Sequence, residues 1–217
     1  RFDVTIVRDG SILGARGAID ISDPNSQDAI GKVNLRSTVT GYYLRKFLDT
    51  NINLSAQTIT STYHYFPVIR LADIYLLYAE AMNEAYGPND AADLGWTALE
   101  ALNKVRTRAG ITVPYTTTSQ TEMTKKIRNE RRVELAFEDQ RYFDLRRWKD
   151  AKDEESLPMY GCNVFMTKGE RDLFYKPVPV SDVLTCFAEK TYFWPIDRSE
   201  LEKNVRLTQN PGWQSEK

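Results

Sequence analysis

Histidine is almost absent from this chain, with His64 the only one among 217 residues. That excludes a two-histidine metal site and leaves a single residue for histidine acid–base chemistry. Cysteine is nearly as scarce: Cys162 and Cys186 fit neither a zinc ribbon nor a disulfide-dense scaffold. Cys186, within Val183-Leu184-Thr185-Cys186-Phe187, reads as packed core, and the two thiols are open to both readings, a disulfide pair or two small buried hydrophobes. No apolar run approaches the roughly 20 residues of a membrane helix, and no signal peptide opens the chain. A net charge of -1 exerts no overall pull on nucleic acid or anionic lipid. A Gly-x-Ser-x-Gly elbow, a Walker loop and a dinucleotide fingerprint are all missing, so catalysis has no positive support. Thirty acidic residues leave a glycosidase carboxylate pair open, but nothing singles one out.

What is present is the balance of an ordinary globular protein, 41% hydrophobic and 27% charged, long enough for one good core or two small ones. Three regions follow one another. Residues 1–66 read as short strands and loops, with alternation over Phe2, Val4 and Ile6, turn signals at Asp9-Gly10 and Asp23-Pro24-Asn25, alternation at Val33 and Leu35, and a further strand candidate over Tyr42–Phe47. Residues 67–149 read as helical. Residues 150–217 return to loops, with Pro158, Pro177, Pro179, Pro195 and Pro211 forbidding long helices. The chain opens on Arg1 within an apparent strand already under way, so it is expected to be a portion of something longer.

The helical region carries the strongest pattern. A first helix is expected from Pro67 to about Asn83, with Val68, Leu71, Ala72, Tyr75, Ala79 and Met82 on one stripe and Ile74, Leu77 and Ala81 on a second. Arg70, Asp73, Glu80 and Glu84 fall on the narrow seam left, so they should be paired across an interface. Asn89 or Asp90 offers the cap of a second helix that places Leu94, Ala98, Leu102, Val105 and Ala109 on one face and stops at Gly110. The two make an antiparallel hairpin, somewhat longer than a tetratricopeptide unit. Ser119-Gln120-Thr121-Glu122 reads as a capping box opening a third helix, with Met123, Ile127, Leu135 and Ala136 inward. Tyr142, Phe143, Leu145 and Trp148 supply a short fourth. Basic residues outnumber acidic ones between Lys125 and Lys149, yet Arg131 with Glu134, Glu138 with Arg141, and Arg141 with Asp144 stand three apart. Carboxylates that close to the arginines favour a structural ion network over a phosphate-binding face. Ser199-Glu200-Leu201-Glu202 reads as a capping box for a final helical turn.

The phrase Tyr78-Ala79-Glu80-Ala81, the run Glu130-Arg131-Arg132-Val133-Glu134-Leu135-Ala136-Phe137-Glu138, its continuation Arg141-Tyr142-Phe143-Asp144-Leu145-Arg146-Arg147-Trp148, and the tail Phe193-Trp194-Pro195-Ile196 with Leu207-Thr208-Gln209-Asn210-Pro211 together resemble the SusD/RagB family of surface nutrient-binding lipoproteins. The resemblance covers essentially the whole chain, as the C-terminal portion of a member. It implies a mainly α fold in which tetratricopeptide-like helix hairpins pack against loop-rich and short-strand segments, the three regions forming part of one larger domain. It implies a non-catalytic protein, lipid-anchored on the cell-surface side of the outer membrane through a segment outside this chain, that passes oligosaccharide or another nutrient to a SusC-like TonB-dependent transporter. No cofactor, metal or nucleic-acid partner is expected. A peptide cargo, an intracellular helical-repeat adaptor and a glycoside hydrolase are the alternatives.

Sugars present apolar C–H faces ringed by hydroxyls, so their binding needs exposed flat rings beside planar polar groups. Tyr63, His64 and Tyr65, which run into Phe66, form the densest aromatic cluster, and Tyr42 and Tyr43 come next. These five are the candidate glycan-binding residues, with Tyr160 and Phe165 behind them; the bland alternative is that the rings pack against the helical layer or the transporter. Trp148, Trp194 and Trp213 read as structural, whereas Trp96 lies off the main apolar face of its helix and is the one most open to an interface.

Overall fold

The computed structural model describes residues 1–29, 38–50, 62–164, 176–179 and 187–214. The segments carrying the Val33/Leu35 alternation, Phe165 and Cys186 lie outside the described residues. The order is α1 (Phe2–Thr5), β1 (Ile6–Val7), β2 (Ile12–Leu13), β3 (Gly17–Ala18), β4 (Tyr43–Leu44), α2 (Leu71–Tyr86), α3 (Ala98–Arg108), α4 (Gln120–Glu134), α5 (Gln140–Arg147), α6 (Ala151–Glu154), β5 (Tyr160–Asn163), β6 (Lys176–Pro179) and α7 (Arg198–Lys203). The mainly helical class is as the resemblance implied.

Apolar and small residues bring α2, α3 and α4 together. Leu76, Ala79 and Met82 of α2 meet Ala98, Ala101, Leu102 and Val105 of α3 and Met123 and Ile127 of α4, with Leu135 closing the cluster just past α4. The alanines let the helix axes approach while the longer side chains fill the gaps. Only one flank of α2 is covered this way. Val68, Leu71, Ile74 and Leu77, expected on inward stripes, are exposed, because no described element lies over them.

Helix ends follow local chemistry. α2 begins after Arg70 rather than at Pro67 and runs to Gly87, which ends it with φ +82. α3 begins later than expected, because Thr97 supplies the cap: its Oγ1 accepts from Glu100 N at 3.0 Å, and Glu100 Oε2 accepts from Thr97 N at 2.8 Å. Asn89 and Asp90 instead shape the preceding loop, Asn89 Nδ2 donating to Thr117 O and Asp90 Oδ1 accepting from Ala92 N. Leu94 therefore sits in the loop, exposed. Gly110, at φ +84, closes α3 as its sequence position suggested. At α4 half of the expected box forms, Ser119 Oγ accepting from Glu122 N, while the Glu122 carboxylate takes the Thr117 hydroxyl. α7 is capped by Asp197, whose Oδ1 accepts from Ser199 N, so Ser199 lies inside the helix rather than at its cap.

A second, small core gathers Val7, Ile19, Ile21 and Val164, with Leu13 and Tyr43 against it. The expected opening strand is split, since Phe2–Thr5 coils into one helical turn before Ile6 and Val7 pair antiparallel with Leu44 and Tyr43. β2 pairs with β3, and β5 with β6, each antiparallel.

Candidate functional site

The site grows from the C-terminal end of α4. A helix end leaves carbonyl oxygens without partners and carries partial negative charge, so cations gather there. Lys46 Nζ donates to Glu134 O and Ala136 O, each at 2.9 Å, and to Glu138 Oε1. Arg70, just ahead of α2, donates through Nε to Glu138 Oε2 at 2.6 Å, through Nη1 to Glu134 Oε1 at 2.8 Å and through Nη2 to Glu134 O at 2.7 Å. Arg108, at the end of α3, donates to Glu134 Oε1, and Arg1 is within ion-pair reach of Glu130 and Glu134. Burial opposes the Arg70 charge, but the hydrogen bonds to Glu138 and Glu134 outweigh it and hold its pKa above the ordinary value. Three glutamates, all buried, thus tie together five segments distant in sequence.

Aromatic rings stand over this ionic floor. Phe47 meets the His64 ring edge-on at 5.8 Å and Phe66 at 5.4 Å. Between rings and floor opens a cavity of about 640 Å³, lined on its aromatic side by Phe47, Tyr65 and Phe66 and on its polar side by Arg1, Lys46, Arg70, Arg108, Glu134 and Glu138. This is the size of a ligand site, and it combines flat apolar walls with planar hydrogen-bonding groups.

Of the five candidate residues, Tyr65 lines the cavity and is 79% exposed, and Tyr63 is 90% exposed two residues away. His64 is exposed and fixed edge-on to Phe47. Tyr42 packs edge-on against Phe2 at 6.1 Å, and Tyr43 leans on the small core with its hydroxyl donating to Asp28 O at 2.9 Å. Lys46, Phe47 and Arg108 escaped the sequence reading. Neither Lys46 nor Arg108 belongs to a local motif; each becomes a site residue only because folding carries it to the end of α4.

A second ion network runs beneath α2. Arg131, 2% exposed, donates from Nη1 to Asp73 Oδ1 at 2.8 Å and from Nε to Asp144 Oδ2 at 2.7 Å. Arg147 binds Asp144 and forms a two-pronged pair with Glu80 at 2.6 Å, and Trp148 Nε1 donates to the same Glu80 carboxylate. Desolvation would raise the Glu80 pKa, but the bonds from Arg147 and Trp148 prevail and hold it below the ordinary carboxylate value. Seam charges Arg70, Asp73 and Glu80 are therefore paired across helix interfaces as expected. The pairings expected three residues apart are not those made: Arg131 spans α2 and α5, Glu138 holds Arg70 and Lys46, and Arg141 reaches Glu154 at 2.8 Å. Arginines so engaged offer little to a phosphate backbone.

Trp96 edges a smaller cavity of about 470 Å³, its ring 5.3 Å from Tyr75 and under the Lys104 ammonium at 4.1 Å. Among the described residues, no group of three or more His, Cys, Asp or Glu side chains could hold a metal ion, and no helix is long and apolar enough to cross a membrane.

The sequence profile of the SusD family matches residues 1–213. Two curated proteins of Formosa agariphila are similar. SusD-like protein P2 is 30% identical over 161 residues, 70% of this chain and 26% of that protein. SusD-like protein P25 is 41% identical over 91 residues, 37% of this chain and 15% of that protein. The crystal structure of a SusD-like protein from Bacteroides fragilis superposes with a TM-score of 0.73 at 27% identity, covering 97% of this chain and 38% of that one. The chain thus spans about a quarter or less of the curated relatives it matches.

Proposed function

We propose, from the premise that the chain belongs to the SusD family, that it contributes to a nutrient-binding protein capturing oligosaccharide without chemistry. The observation that carries this reading is the cavity beside Tyr65. Exposed tyrosine rings can stack on the C–H face of a pyranose, while the exposed Arg108 guanidinium on the polar side of the cavity can donate to its hydroxyls. Tyr63 and Tyr65 form the platform, His64 and Phe47 brace it, and Tyr42 and Tyr43 anchor the short strand that leads into the turn carrying Lys46 and Phe47. The captured sugar would pass to a SusC-like TonB-dependent transporter, with the protein held at the cell-surface side of the outer membrane by a lipid anchor outside this chain.

The reading is tested by affinity electrophoresis through gels containing candidate polysaccharides. Retardation that Tyr63→Ala and Tyr65→Ala each weaken roughly fivefold or more, as loss of an aromatic stack predicts, supports it. Variants retarded like the parent would remove the platform from the site.

A further inference from the structure

The cavity beside Tyr65 does not balance its own charge. Among the described residues its wall holds four cationic side chains, Arg1, Lys46, Arg70 and Arg108, against two carboxylates, Glu134 and Glu138. Both carboxylates are buried and already engaged. Lys46 and Arg70 spend their donors on those glutamates and on the carbonyls that end α4. Arg108 differs. Its side chain is 63% exposed, and it reaches Glu134 through Nη2 alone. Arg1 is taken up by Glu134 and by Glu130, which is not part of the wall, so the exposed Arg108 is the group that carries the surplus.

A half-enclosed surplus of positive charge attracts an anion more strongly than an open surface does, because less water screens it. A bare inorganic ion would leave the Phe47, Tyr65 and Phe66 wall without a partner. The two features together fit a pyranose that carries its own negative charge. We infer that the cavity takes an anionic sugar residue, a uronate or a sulfated sugar, with its ring against Tyr65 and Phe66 and its anionic group on Arg108. This rests on the glycan-capture reading and narrows it.

The test titrates the chain calorimetrically with tetragalacturonate, with its carboxyl-reduced neutral counterpart and with a sulfated galactan tetrasaccharide. At least one anionic probe should bind about tenfold or more tighter than the neutral one, the worth of a charge-assisted contact. That preference should shrink as ionic strength rises. The variant Arg108→Gln should erase it without moving the unfolding midpoint, because Glu134 keeps Arg70. Preference for the uronate over the sulfate, or the reverse, identifies which anion is read. Equal binding of neutral and anionic probes, or a preference that survives Arg108→Gln, overturns the inference while glycan capture stands. Binding to none of the three defeats both readings.

Discussion

Arg131 shows at the scale of one side chain how much this molecule relies on buried charge. Its guanidinium lies between Asp73 and Asp144, out of reach of water, so its removal strands the Asp73 carboxylate in a medium that tolerates it poorly and leaves Asp144 to Arg147 alone. The variant Arg131→Met should lose about 3–5 kcal/mol of stability, the usual cost of breaking a buried pair, read from the chemical denaturation midpoint. A loss below about 1 kcal/mol would place water or another cation beside those aspartates. Tyr63 and Tyr65 lie at the opposite extreme, so their removal should leave the same midpoint nearly unmoved. The sequence told which residues would be paired, but not with whom. Three-residue spacing proposed Arg131, Arg141 and Arg141 again as partners of Glu134, Glu138 and Asp144, whereas Glu138 is held by Lys46 from 92 positions away and Asp144 by Arg131 from 13 and by Arg147 from 3. Spacing reports neighbours on one helix; it carries no information about which face another helix will present.

Among the elements, α3 was the most misjudged and is the most easily tested. Asn89 and Asp90 have good capping side chains, but Ala92 and Asp93 then adopt φ of +47 and +61, which breaks any helix begun there. Thr97 and Glu100 hold the true start. Thr97→Ala should therefore cost about 1 kcal/mol, and Asp90→Ala much less; the reverse order in thermal melts would contradict the cap. Between α2 and α5 the tie is Glu80, Arg147 and Trp148. The Glu80 pKa is lowered on folding, so its stabilisation is complete above the ordinary carboxylate range and fades as pH falls through the depressed value. In Glu80→Gln the acid side of the stability profile should be flatter than in the parent, with the two profiles converging at low pH. Parallel profiles would show that the pair contributes nothing to folding. Helix identity and the glycine stop at Gly110 were legible because each depends on a few consecutive residues.

At the scale of the whole molecule, the helical layer is finished on one side only among the described residues. Leu71, Ile74 and Leu77, with Ile69 just ahead of the helix, leave an apolar band along α2, in a chain that spans 38% of the similar Bacteroides fragilis structure. Such a band favours association. Sedimentation velocity should find self-association that Leu71→Lys with Ile74→Lys reduces; a parent that stays monomeric at high concentration would contradict this. The fold class was legible at this scale, because its phrases are long and ordered. The cavity was not, since residues near positions 1, 46, 65, 70, 108 and 134 meet only through packing. Sequence supplied Tyr63 and Tyr65, and the ionic floor came from the fold. Sugar binding is most directly measured on a glycan array of neutral, uronate-bearing and sulfated oligosaccharides, probed with this chain and with Tyr65→Ala. Saturable binding to one glycan class, weakened in the variant, is the expected result; an array silent for both proteins would contradict glycan capture.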